Sequence, residues 1–210
     1  MIEFQGFSKI PRLFRDIVIT EKIDGTNAQI TVINLQQMAD ENNISVGHWM
    51  DKVNLYQYPY MAVGQEYALL AGSRKRYISM DNDNHGFGKW VSDKREELVK
   101  LGHGKHFGEW WGQGIQRGYG LKEKRFSLFN TAKWSDDAVR PACCHVVPVL
   151  YTDIFDTEIV HHTLWRLKQV GSLAAPGFMK PEGIVVFHTA GNLLFKATIE
   201  NDDKPKGQVQ

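Results

Sequence analysis

Apolar residues along this chain gather in short runs separated by turn chemistry, which predicts many strands and few long helices. Ile17-Val18-Ile19 reads as a buried strand, and Ala28-Gln29-Ile30-Thr31-Val32-Ile33 as one of near-alternating polarity. Between them stands Glu21-Lys22-Ile23-Asp24-Gly25-Thr26-Asn27, a lysine at a strand end followed by Asp-Gly. Asp-Gly is a strong turn pair, because Gly accepts φ > 0 and Asp caps its own backbone. Taken alone, the stretch predicts a β-hairpin with a solvated lysine.

Regular alternation is lost over residues 34–64, where Met38, Trp49, Met50, Val53, Tyr56, Tyr58 and Tyr60 predict a partly helical insertion. Residues 65–71 return to strand character and run into Gly72-Ser73-Arg74-Lys75-Arg76. Ser92-Asp93 predicts a helix cap, with the helix reaching Leu101 and stopping at Gly102. Residues 105–111 and 125–130 read as strands around the glycine-rich span 112–120. A further strand over 145–151 is interrupted by Pro148, which cannot donate to a ladder. Leu164, Leu167 and Val170 recur at helical spacing and predict a helix over about 160–169. Two last strands, 183–187 and 192–198, flank a turn at Ala190-Gly191, and the charged segment from Asn201 reads as a frayed end. The pattern predicts α+β architecture with antiparallel sheets: one domain over 1–200, an insertion at 34–64, and a tail at 201–210.

The chain has 210 residues, 42% of them hydrophobic and 11% aromatic, enough for one sizeable core. A formal net charge of +1 argues against a protein coated in basic surface and confines any nucleic-acid site to a patch. The two cysteines, Cys143 and Cys144, are adjacent, so they form neither an ordinary disulfide nor a four-ligand zinc site by themselves. Reducing cytosol fits that usage. Met1-Ile2-Glu3-Phe4 opens with no basic region or long apolar run, so neither a signal peptide nor a membrane span is expected.

Several motifs fail on inspection. Gly112-Gln113-Gly114 with Gly118 and Gly120 does not match the dinucleotide fingerprint, and no GxxxxGK[ST] loop exists. Asp81-Asn82-Asp83-Asn84-His85-Gly86 starts like a calcium loop, but His85 replaces an oxygen ligand and Ser92 stands where a bidentate Glu is required. The pairs His161-His162 and His103/His106 lack a matching ligand set, and no G-x-S-x-G elbow is present.

Behind Lys22, five features follow in order: Ser73-Arg74, Phe107-Gly108-Glu109-Trp110-Trp111, Arg125-Phe126-Ser127-Leu128-Phe129, Pro181-Glu182-Gly183-Ile184-Val185-Val186 and Leu194-Phe195-Lys196-Ala197. Each alone has an ordinary explanation as an exposed charge or a core aromatic. As an ordered series they resemble the covalent nucleotidyltransferase superfamily of polynucleotide ligases and capping enzymes, closest to the ATP-dependent RNA ligases, from about Ile17 to Lys196.

The resemblance implies an adenylation domain in which Lys22 attacks the α-phosphate of ATP and carries AMP as a phosphoamide. An ammonium has no lone pair, so the lysine must first lose a proton. Lys196 would contact the α-phosphate and Glu182 would hold Mg²⁺ or Mn²⁺, a hard ion suited to oxygen. Glu109 would bind ribose, and Arg74 the ribose or the 5′-phosphate of an RNA end. An aromatic of the 125–129 segment would stack on adenine. Alternation puts Phe126 and Leu128 on one face and Ser127 and Phe129 on the other, and Phe126 is the favoured candidate. Glu21 would assist base recognition through its backbone, and Asn27 also matches RNA-ligase usage. Arg74, Lys75, Arg76, Arg117, Lys122, Lys124 and Arg125 would surround a nucleic-acid groove.

The sequence departs from the family in two places. Many relatives carry KxK in the last motif, whereas Leu194 and Thr198 flank Lys196 here at two residues' distance, leaving Lys204 or Lys206 as candidate second cations. The chain also continues only about fourteen residues past that motif, too few for the OB or helical domain that ligases append. Rival readings are a DNA or hybrid-nick ligase, a capping-type guanylyltransferase, and a nucleic-acid end-binding module without turnover.

Overall fold

The computed structural model describes residues 3–200 and 202. In chain order the elements begin with strands β1 (Asp16–Lys22) and β2 (Thr26–Asn34), then helices α1 (Leu35–Asn42) and α2 (Val46–Lys52). Strands β3 (Met61–Val63) and β4 (Tyr67–Ser73), helix α3 (Phe87–Leu98), and strands β5 (Gly104–Gly112) and β6 (Lys124–Leu128) follow. The remainder is α4 (Thr131–Trp134), β7 (His145–Val146), β8 (Val149–Ile154), α5 (Thr157–Val170), β9 (Gly183–His188) and β10 (Leu193–Thr198). The α+β expectation holds, and all strand pairs are antiparallel except the short β6–β7 pair.

The chain divides into two compact units. One takes the chain up to Ile23 and from Pro148 onward, and the other runs from Asp24 to Val147. The reason lies in strand pairing. β1 and β2 do not form the hairpin that Asp-Gly suggested: β1 pairs with β8 and β9, whereas β2 pairs with β4 and β5. Likewise the strand expected over 145–151 divides at Pro148, β7 joining one sheet and β8 the other.

The first unit is a four-stranded sheet in the order β10-β9-β1-β8, covered on one face by α5. Ile17 and Ile19 of β1 alternate inward with Ile184 and Val186 of β9, and Leu164 and Leu167 of α5 pack on them. The start of α5 precedes the expected one because Asp156 caps it, its carboxylate accepting from Glu158 N at 2.7 Å.

The second unit is a six-stranded sheet in the order β3-β4-β2-β5-β6-β7. Its main core gathers Ala28, Ile30 and Val32 of β2 with Trp110, Phe126 and Leu128, beneath Phe87, Val91 and Leu98 of α3. Ala68 and Leu70 of β4 face a second cluster with Leu35 of α1 and Trp49 of α2, and residues 34–64 are partly helical. Helix α3 starts well before Ser92. Asp83 supplies its cap from outside, accepting from Gly88 N at 2.6 Å and Lys89 N at 3.1 Å. That is the role the calcium-like turn plays.

Candidate functional site

In the first unit, the last residue of β1 carries the candidate nucleophile. Lys22 Nζ donates to Glu182 Oε2 at 2.6 Å, with the two side chains 19% and 6% exposed. The pairing follows from register, since Lys22 lies opposite Gly183 and Glu182 immediately precedes β9. Only glycine fits after Glu182: a Cβ on Gly183 would lie 2.2 Å from the carbonyl oxygen of Ala197 in β10. Thr20, Val185 and Lys196 form the adjacent cross-strand row. With a side-chain period of two, Lys22 and Lys196 therefore project from the same sheet face, opposite to the one α5 covers.

Glu21 points the other way. Its carboxylate is buried and accepts from Ser172 Oγ at 2.5 Å, Leu173 N at 2.8 Å and Ala174 N at 3.0 Å, tying β1 to the loop that leads towards Glu182. Burial pushes its pKa above the ordinary carboxylate value, and the three hydrogen bonds pull it partly back. Its main-chain N–H donates to Pro148 O at 2.9 Å.

In the second unit, the motif continues as a clamped turn. Asp24 N donates to Tyr119 Oη at 2.8 Å, and Arg117 Nε donates to Asp24 Oδ2 at 3.1 Å. Gly25 N donates to Glu109 Oε1 at 3.2 Å, and Asn27 Nδ2 lies 3.4 Å from Glu109 Oε2. Gly25 does not take a left-handed conformation, so the turn argument gave the wrong reason for it. A Cβ there would sit 2.5 Å from Trp110 O and 3.0 Å from Glu109 Cγ, so the glycine is required by close approach to β5. Glu109 lies opposite both Asn27 on β2 and Ser127 on β6. Beside it Trp111 Nε1 donates to Ser127 Oγ at 2.9 Å, and Tyr119 meets Trp111 edge-on at 5.0 Å.

Sequence reasoning missed Tyr119 and Ser172. Tyr119 had a faint signal in its place between Gly118 and Gly120, all three of which adopt positive φ. For a bulky residue such as tyrosine that conformation is uncommon. Ser172 had none.

Phe126 is corrected. It is 0% exposed, enclosed by Phe87, Trp90 and Trp110 in the main core, and offers no face to a base. Phe129, the other candidate of that segment, is 39% exposed and belongs by alternation to the face of Ser127.

Among the expected groove cations, Arg74 is exposed at the end of β4. Arg76 clips a turn, its guanidinium donating to Asn82 O at 3.1 Å and Asn82 Oδ1 at 2.9 Å. Arg125 pairs with Glu123 at 2.6 Å, and Lys124 Nζ donates to His85 O at 2.7 Å. Lys204 and Lys206 lie outside the described residues.

Among the described residues no group of three or more His, Cys, Asp or Glu side chains could hold a metal by itself. Glu182 offers one carboxylate. That suits Mg²⁺ or Mn²⁺ bound largely through phosphate oxygens and water. Among the described residues no helix is long and apolar enough to cross a membrane.

The family profile described as RNA ligase matches residues 15–198. No curated protein matches the chain. Among solved structures, an arginine-to-alanine variant of Naegleria gruberi RNA ligase with ATP and Mn is similar at TM-score 0.54 and 16% identity, over 89% of this chain and 50% of that one. A lysine-to-alanine variant of the same ligase with ATP and Mn gives the same values. A lysine-to-methionine variant with AMP and Mn gives 0.52 and 17%, over the same shares. At this identity the likeness speaks to the fold alone. The chain spans about half the length of the structures it matches.

Proposed function

Because the chain belongs to the RNA ligase family, we propose that it is an ATP- and divalent-metal-dependent RNA ligase that works through a covalent lysyl-AMP on Lys22. The observation that carries this reading is the 2.6 Å Lys22–Glu182 pair on the sheet face shared with Lys196. A lysine held at 2.6 Å by a nearly buried carboxylate, on the sheet face that also carries Lys196, is poorly explained as surface decoration. It is well explained as an amine kept in place for an incoming triphosphate.

Lys22 Nζ loses one proton before attack and a second as the product forms. Its lone pair makes a P–N bond to the α-phosphorus while the bond to the bridging oxygen breaks, and pyrophosphate leaves. Lys196 offsets negative charge that builds on the α-phosphate. Glu182 is the carboxylate that would hold the metal. When bound, the metal neutralises phosphate charge and polarises the phosphoryl group. The ATP and manganese carried by the Naegleria structures support that pairing of substrate and ion.

Glu109, already aligned by Gly25 N and Asn27, accepts from ribose hydroxyls, and Arg74 takes the ribose or the RNA 5′-phosphate. Phe129 replaces Phe126 as the stacking surface for adenine. Glu21 contributes to the base site through its main chain, while its side chain fixes the loop over 172–174. In the later steps the RNA 5′-phosphate attacks lysyl-AMP and releases Lys22. A 3′-hydroxyl then displaces AMP to form the phosphodiester.

Incubated with ATP, Mg²⁺ or Mn²⁺ and 5′-phosphorylated RNA, the protein should yield 5′-adenylated RNA and then joined product. Retention of RNA ends with no AMP transfer would contradict the reading and leave an end-binding module. Matched DNA ends should react more slowly, because the 2′-hydroxyl is what separates the two substrates.

A further inference from the structure

Residues 4–15 read Phe-Gln-Gly-Phe-Ser-Lys-Ile-Pro-Arg-Leu-Phe-Arg. They hold three cations, Lys9, Arg12 and Arg15, and no carboxylate, in a chain whose charges otherwise nearly cancel. All three cations are exposed. Phe4 and Phe7 are 95% and 92% exposed, and Ile10 is exposed as well. The root of the segment is held: His188 Nε2 lies 2.7 Å from Leu13 O, Phe155 N donates to Arg15 O at 2.9 Å, and Phe14 meets the Phe155 ring at 6.3 Å. Beyond that root the aromatic rings project from the first unit.

We propose that residues 4–15 form an arm that grips single-stranded RNA, with Phe4 and Phe7 stacking on bases and Lys9 and Arg12 holding phosphates. This rests on the RNA-ligase reading for the identity of the polymer. Sequence-tolerant single-strand binding combines exposed aromatic rings with cations that follow the backbone. Phe4, Phe7, Ile10 and Leu13 recur every third residue, and so do Lys9, Arg12 and Arg15. Pro11 fixes its own φ and keeps Ile10 extended. In an extended, three-residue-per-turn segment the two series form separate apolar and cationic stripes. A protein partner covering the apolar stripe would gain nothing from the cations unless it were acidic, whereas RNA uses both stripes.

The arm joins β1 at Asp16, and Lys22 ends the same strand, six residues on and roughly 20 Å away. The arm therefore holds nucleotides several positions from the end being joined. It plays no part in forming lysyl-AMP.

The test uses the full chain, its Phe4→Ala/Phe7→Ala variant and its Lys9→Ala/Arg12→Ala variant. Binding of a labelled 5′-phosphorylated single-stranded RNA is measured across a salt series, alongside self-adenylation by ATP and the KM for RNA in AMP transfer. Each double variant should bind RNA about tenfold more weakly or worse and show a raised KM for RNA, with self-adenylation unchanged. For Lys9→Ala/Arg12→Ala the slope of log affinity against log salt should fall by about 1.4, the value for two single-strand phosphate contacts. Unaltered RNA affinity and KM in both variants would overturn the arm while leaving the ligase reading intact. So would weaker RNA binding that merely tracks loss of a dimer in sedimentation, since the arm would then cover a second copy. A wild-type chain that never takes up AMP would defeat the ligase reading instead, and the binding series would still decide the arm.

Discussion

Glu21 and Lys22 are consecutive residues of one strand, and alternation gives them opposite work. Lys22 meets Glu182 on the sheet face away from α5, whereas Glu21 satisfies three donors of the loop over 172–174. Glu21→Ala leaves those donors without their acceptor and should cost about 3 kcal/mol of stability. Glu21→Gln keeps an acceptor for the two main-chain N–H groups and should cost much less. The pH dependence separates the two effects. Because burial raises the folded pKa of Glu21 above the reference 4.5, its stabilisation is fully present below that unfolded value and is lost as pH rises through the folded one. Thermal unfolding from about pH 4.5 to neutrality should therefore show wild type losing ground to Glu21→Gln as pH rises. A gap that widened in favour of wild type would contradict the assignment. Gly25→Ala tests the other side of the motif. Its Cβ would meet Trp110 O at 2.5 Å and Trp111 Cβ at 2.7 Å, so overpacking should destabilise by about 2 kcal/mol in chemical denaturation.

Among the elements, the loop between β5 and β6 changes its meaning most. Its glycines failed as a nucleotide-binding fingerprint, and Arg117 was expected on RNA. Instead Arg117 and Tyr119 both fasten Asp24, two residues beyond Lys22. Arg117→Ala should slow self-adenylation by about tenfold, in proportion to a lost charge-assisted bond, and Arg117→Lys should recover part of it. If Arg117 served RNA alone, single-turnover adenylation would be unchanged and only the KM for RNA would rise. Apart from β3 (Met61–Val63), sequence pattern located the strands within a few residues because alternation and turn residues are local signals. It failed where a distant group decided the outcome. Asp83 caps α3 from outside the helix, so Ser92 looked like the start. Phe126 and Phe129 are indistinguishable by type, and only α3 packing on one sheet face commits Phe126 to the core.

For the molecule as a whole, the motif order was legible and the long-range pairing of the strands was not. Lys22, Glu109, Glu182 and Lys196 could be singled out because their flanking residues carry recognisable patterns. Nothing in a run such as Ile17-Val18-Ile19 reports that its partners lie at β8 and β9, on the far side of the second unit in sequence. The chain passes between units at Ile23/Asp24 and at Val147/Pro148, so the first crossing falls inside the motif itself. Lys22 is thus preceded by a residue clasped in one unit and followed, after Ile23, by a residue clasped in the other. The central claim is that this lysine takes AMP covalently. Intact mass spectrometry after incubation with ATP and a divalent metal tests it most directly. The account predicts one AMP added to the wild-type chain and none to Lys22→Ala. An equal adduct on Lys22→Ala, or none on a folded wild-type chain, would contradict it.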